Sequence, residues 1–134
     1  MADIINKYSD MIYGNVLKRD VLVDGTIEEY NFLILNLGSH PTAYVEIPSN
    51  HCCYNLKSYD DFGIDVHGGV TYWSCHPVKR GGKDRWIGWD YAHFDDYISG
   101  SSPRHCLEGK QWSVDEILED VKSVINQLKE LAHE

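Results

Sequence analysis

The chain has 134 residues, 43% hydrophobic and 25% charged, which suits one globular domain over residues 1–134 and excludes a disordered chain, a collagen-like repeat and a coiled-coil rod. Acidic residues outnumber basic ones 21 to 12, for a net charge of −9, so extended contact with nucleic acid is disfavoured. A compact anion is still within reach of a few local cations. No apolar run approaches the ~20 residues of a bilayer-spanning helix, and the first ten residues lack a basic stretch followed by an apolar one. These features lead to an expectation of a cytoplasmic protein with no membrane partner and with its four cysteines reduced.

In chain order, Ile4, Ile5, Tyr8, Met11 and Ile12 stand near helical spacing, which predicts a short N-terminal helix over 3–13, stopped by Gly14-Asn15. Residues 16–24 read as a strand, Asp24-Gly25 as a hairpin turn, and 26–37 as the partner strand. A turn at Gly38-Ser39-His40-Pro41 leads to a strand over 42–47. Residues 48–65 read as a long loop with one helical turn near 58–62. A strand over 65–74, a Gly- and Lys/Arg-rich turn over 77–84 and a returning strand over 85–91 follow. Residues 92–111 are irregular. The clearest element comes last. Ser113 and Glu116 form a capping box, and Val114, Ile117, Leu118, Val121, Val124, Ile125, Leu128 and Leu131 make one apolar stripe. The fold class that results is α+β, an antiparallel sheet covered by a long C-terminal helix.

The unusual composition lies between His51 and His93. Gly68-Gly69 beside His67 either clears space for a ligand or marks a plain β-bulge. His51, Asp60, Asp61, His67, Asp90, His93 and Asp96 combine imidazoles with carboxylates, which move protons or ligate metals. The spacing Asp90-x-x-His93 needs a turn after Tyr91 to bring its two side chains together, because residues three apart on a strand face opposite ways. No metal or other cofactor is assigned. Cys52-Cys53, Cys75-His76 and Cys106 lack a zinc-site spacing. Tyr72, Trp73, Trp86, Trp89 and Tyr91 either present rings for stacking or fill a sheet covered on both faces. Lys79, Arg80, Lys83 and Arg85 form the dense basic cluster, suited to phosphate or simply to a solvated hairpin tip.

The runs Val66-His67-Gly68-Gly69-Val70-Thr71-Tyr72 and Trp86-Ile87-Gly88-Trp89-Asp90-Tyr91-Ala92-His93 resemble a family of small bacteriophage and prophage proteins. That family carries a "VHGGLTY … WIGFDCAH" core and an upstream "P…H…Y…YDD" segment, matched here by Pro48, His51, Tyr54 and Tyr59-Asp60-Asp61. The likeness spans residues 44–131. Trp89 and Tyr91 stand where the pattern has phenylalanine and cysteine. The resemblance implies a phage accessory protein, of a kind that counters bacterial defence in the host cytoplasm.

Three functions are consistent with this reading. In the first, the protein binds and sequesters a small nucleotide-type immune signal. Its ligand-binding residues would be His51, Tyr54, Tyr59, Asp60, His67, Gly68, Gly69, Trp73, Arg80, Arg85 and Trp89. In the second, it hydrolyses such a ligand with His67, Asp90 and His93 as catalytic acid, base or metal ligands. In the third, its acidic surface inhibits a host nucleic-acid-binding protein. A homo-oligomer building the pocket across its interface is compatible with each.

Overall fold

The computed structural model describes residues 2–12, 20–58, 61–93, 96–98 and 108–132. The protein is α+β. Six strands, β1 (Ile4–Lys7), β2 (Asp20–Ile27), β3 (Tyr30–Asn36), β4 (Pro41–Ile47), β5 (Tyr72–Ser74) and β6 (Arg85–Asp90), precede one helix, α1 (Val114–Ala132). The sheet is antiparallel throughout, in the order β1-β2-β3-β4-β6-β5. β1 to β4 form a meander. The chain then leaves the sheet, returns as β5 at the far edge, and closes with β6 between β5 and β4.

Alternation along the strands gives each face its own cluster. Phe32, Ile34, Ala43, Val45, Ile47, Ile87 and Trp89 face α1, which buries Val114, Ile117, Leu118, Val121, Val124, Ile125 and Leu128 against them. Leu33, Leu35, Tyr44 and Trp86 form a smaller cluster on the other face. There Gly88 pairs with both Tyr44 and Tyr72. A side chain at 88 would overlap the Tyr44 ring, so the glycine makes room for Tyr44 and Tyr72 to meet edge-on at 5.1 Å. The α1 capping box forms as its sequence predicts: Ser113 N–H donates to Glu116 Oε1 at 3.0 Å, and Glu116 N–H to Ser113 Oγ at 3.2 Å.

Three local expectations give way. Residues 4–7 form a strand on the edge of β2, not the first turns of an N-terminal helix. Ile4, Ile5, Tyr8 and Met11 remain exposed and only Ile12 is buried. A short isolated helix gains little without a packed face, whereas an edge strand gains a ladder of hydrogen bonds. The Gly14-Asn15 stop lies outside the described residues.

Asp24-Gly25 is not a turn either, but lies inside β2. A Cβ at Gly25 would collide with the Ile4 carbonyl, so this glycine admits the close approach of β1. The reversal falls two residues later, at Glu28 and Glu29, with φ of 49° and 73° and Ile27 paired to Tyr30. Positive φ at both positions is what a two-residue type I′ loop demands, and glutamate supplies it at a cost.

Last, the strand expected over 65–74 begins only at Tyr72. Gly68 and Gly69 have φ of 69° and 81° and sit in a turn closed by Gly69 N–H donating to the Val66 carbonyl. They therefore form neither a strand interior nor a β-bulge.

Replacing Glu29 with glycine removes the left-handed penalty and leaves the Glu28–Lys129 ion pair in place. Glu29→Gly is expected to stabilise the fold by about 1 kcal/mol, a rise of roughly 4 °C in Tm. A thermal melt showing no gain would refute a strained loop at this position.

Candidate active site

Beyond β6 the backbone turns, with Asp96 N–H donating to the His93 carbonyl at 2.9 Å. The turn swings the Asp96 carboxylate back over His93, whose own N–H donates to Asp96 Oδ2 at 2.9 Å. Asp96 is 1% exposed. Its Oδ2 also receives His67 Nε2 at 2.8 Å and lies 3.3 Å from His93 Nδ1, while Trp112 Nε1 donates to Oδ1 at 2.9 Å. Burial alone would raise this carboxyl. The hydrogen bonds from His67, the His93 N–H and Trp112 outweigh it and hold Asp96 below the usual carboxylate range. An ionised carboxylate only accepts, so His67 carries its proton on Nε2.

Three chain segments thus meet at one carboxylate, and each is positioned by a local feature. His67 comes from the Gly-rich turn before β5, and its ring stacks on Tyr91, with centroids 5.1 Å apart and 8° between planes. Gly68 lies against His93, and any side chain there would overlap the imidazole. Trp112 occupies the residue before the α1 cap. It is brought in because the backbone at Lys110 pairs with that at Asp96, and because Gly109 presses against the Asp96 carbonyl where no Cβ would fit. Both imidazoles stay partly accessible, with side chains 26% and 34% exposed for His67 and His93. Asp90 completes the rim. Its Oδ1 is 3.7 Å from His93 Nε2 and accepts from Ala92 N–H, and its Oδ2 accepts from Thr71 Oγ1 at 3.4 Å.

His67, Gly68, Asp90 and His93 therefore assemble with Asp96, while Gly69 supplies the adjoining turn. The other sequence candidates lie elsewhere. His51 is buried below the C-terminal end of α1, where its Nε2 donates to the Leu128 carbonyl at 2.8 Å and its Nδ1 accepts from Cys53 N–H at 3.0 Å. Tyr54, Trp73 and Arg85 form a separate cluster: the Arg85 guanidinium lies 4.3 Å from the Trp73 ring centre and 5.8 Å from that of Tyr54. Both Trp73 Nε1 and Arg85 Nη2 donate to the Leu56 carbonyl, which fastens the loop that follows β4. Arg80 sits on the exposed turn between β5 and β6. Trp89 is 1% exposed beneath α1, so its ring has no free face for a ligand. Tyr59 and Asp60 lie outside the described residues.

Sequence reasoning left Trp112 out of the site altogether. The available signal was its place directly before the helix cap, where an apolar residue commonly packs back on the chain. A concavity of about 490 Å³ opens elsewhere, lined by Asn6, Asp24, Thr26, Asn31, Glu46 and Trp86 among others. Its carboxylates repel an anionic ligand, and none of its lining residues belongs to the histidine centre. No protein-family model, curated protein or solved structure matches the chain.

Gly68→Ala tests the tightness of the centre. A left-handed alanine whose Cβ overlaps the His93 ring is expected to cost about 2 kcal/mol in urea unfolding and to displace the His93 ring resonances in NMR. Unchanged stability and unchanged resonances would show that the glycine is dispensable.

The thiols give an independent check of the surroundings. Burial, then the contact with Cys52, pushes the Cys53 thiol up to about 11, whereas the Gly81 N–H, aided by Ser74 and Arg80, lowers that of Cys75. Because the thiolate is the nucleophile, iodoacetamide at pH 8 is expected to alkylate Cys75 well before Cys53. Peptide mapping that found Cys53 modified first in the native protein would overturn this assignment.

Proposed function

We propose that the protein is a hydrolase acting at the His67–Asp96–His93 centre on a phosphoester bond of a small nucleotide-type ligand. The observation that carries this reading is the pair of part-exposed imidazoles sharing one buried carboxylate, at 2.8 and 3.3 Å. Such an arrangement fixes ring orientation and gives proton-transfer groups a rigid support. With its Nε2–H directed to Asp96, His67 offers Nδ1 as the base that takes a proton from the attacking water. His93 has a carboxylate oxygen opposite each ring nitrogen, 3.3 Å away at Nδ1 and 3.7 Å at Nε2, and in this reading the more loosely held Nε2 delivers a proton to the leaving oxygen. The new P–O bond forms as the ester P–O bond breaks, and the two proton transfers balance.

Aromatic sequestration is less well supported by the geometry. Of the residues expected to stack on a ligand, Trp89 is buried and Tyr54 and Trp73 are engaged with Arg85. The resemblance of residues 44–131 to phage proteins supports a ligand drawn from the defence signals of a host cell, and with it action in the host cytoplasm. That warrant is one of association, since fold alone does not specify chemistry.

The test mixes the purified protein with a panel of cyclic and ADP-ribose-derived nucleotides, removes it by filtration, releases bound material by heat and quantifies every species by mass spectrometry. One nucleotide is expected to be converted to product, with turnover falling at least 100-fold in His67→Ala. Circular dichroism would confirm that the variant is folded. Recovery of a depleted nucleotide intact would replace the hydrolase with a sequestering protein. No depletion of any nucleotide would exclude both and return attention to inhibition of a host protein.

A further inference from the structure

We propose that His67, His93 and Asp96 hold a divalent first-row transition-metal ion, with zinc the best match to two imidazole nitrogens and one carboxylate oxygen. This deepens the hydrolase reading of the same centre, but it is a statement about binding and is read out without turnover.

Three observations support it. The first is convergence. One ligand atom from each residue lies within 4.8 Å of the others, and Asp96 Oδ2 is 2.8 Å from His67 Nε2 and 3.3 Å from His93 Nδ1. Ligand atoms about 2.0–2.2 Å from a tetrahedral zinc stand roughly 3.4 Å apart, so the three atoms, all within 4.8 Å of one another, reach an ion's coordination sphere by side-chain rotation about the shared Asp96 oxygen. The proton on His67 Nε2 moves to Nδ1 when the ion takes its place, and the bound ion, in place of Nδ1, would then activate the attacking water.

The second is the surrounding support. Metal-binding histidines and carboxylates are commonly oriented by outer hydrogen bonds. Here Asp90 Oδ1 faces the far nitrogen of His93, Trp112 holds the far oxygen of Asp96, and Tyr91 stacks beneath His67. The third is access. Asp96 anchors the base of the centre while both imidazole side chains reach solvent, leaving a fourth position for water or substrate, as catalytic zinc sites require.

His51, Cys52 and Cys53 also lie close together, yet that group does not suit an ion. Both His51 nitrogens are committed, to the Leu128 carbonyl and the Cys53 N–H, and burial keeps Cys53 protonated.

The experiment titrates Zn²⁺ into chelator-treated protein by calorimetry, with Mn²⁺ and Co²⁺ in parallel. One ion per chain is expected, with affinity reduced at least 10-fold in His67→Ala and in His93→Ala and unchanged in Cys52→Ser. X-ray absorption at the zinc edge of the unmodified protein covers the case in which a histidine variant fails to fold. A first shell of nitrogen and oxygen supports the proposal, and sulfur near ~2.3 Å overturns it in favour of the cysteines. Failure of all three ions to bind, or binding that neither histidine variant weakens, also overturns it. Zinc binding without nucleotide turnover would leave the metal site standing and remove the hydrolase. Turnover in chelator-treated protein that binds none of the three ions would do the reverse.

Discussion

A carboxylate taken out of water must be surrounded by donors or it destabilises the fold by several kcal/mol. Asp96 meets this constraint with His67, the His93 backbone and Trp112, each hydrogen bond to a charged group contributing about 1.5–3 kcal/mol. The donors come from three places far apart in sequence: the turn before β5, the turn after β6 and the residue before the α1 cap. Satisfying one buried charge therefore fixes where β5 docks, how the chain leaves β6 and where the helix begins.

Beside it runs a second polar chain that ties the sheet to the helix. Trp89 Nε1 donates to Tyr91 Oη at 2.9 Å, and Tyr91 Oη donates to Asp120 Oδ2 at 2.6 Å. Burial, with Asp120 close by, raises the Tyr91 hydroxyl far above its ordinary value, so it remains a donor. Trp89 and Tyr91 stand two residues apart at the end of β6 and just beyond it. In this chain they touch, and each makes sense only with the other: an indole N–H buried under α1 needs an acceptor, and the Tyr91 oxygen supplies it. The aromatic load of the middle strands is largely spent on such internal pairing, as with Tyr44 and Tyr72 across Gly88 and with Arg85 between Tyr54 and Trp73.

The parts of this fold written in local pattern were legible in the sequence. The α1 stripe and its cap could be read because they depend on spacing within one segment, and the strands 41–47 and 85–90 because each is a short apolar, β-forming run bounded by turn residues. Glycine was harder to interpret, since its meaning depends on what approaches it. Gly25 looked like half of a hairpin turn because Asp-Gly favours one, but it serves the Ile4 backbone lying across it. The turn fell instead on two glutamates that carry no such signal. His67 and His93 stood out by composition, whereas Trp112 did not, because only the pairing of residues 96 and 110 brings it to the same carboxylate. His51 shows the converse: an imidazole beside cysteines suggested chemistry, yet its two nitrogens fasten a loop to the end of a helix.

Charge decides how such a centre could handle a phosphoester. The chain is strongly acidic, with a net charge of −9, and a phosphate approaching Asp90 and Asp96 meets like charge. Lys110 lies close, 3.9 Å from the Trp112 ring centre, but Glu116 holds it at 2.7 Å, and the basic turn at 79–83 belongs to a different part of the surface. Imidazoles acting alone would have to overcome this repulsion. A divalent ion on His67, His93 and Asp96 would remove this repulsion: Asp96 and Asp90 together balance its two charges, the two imidazoles add none, and the ion itself faces the place where the phosphate must sit. The same ion would polarise the phosphoryl oxygen and lower the pKa of a bound water. Asp96 would then be a ligand rather than a proton partner for His67, and Asp90, free of the metal, would orient His93 from behind. On this account the acidity of the chain argues for the metal, because it removes the alternative of a cationic pocket.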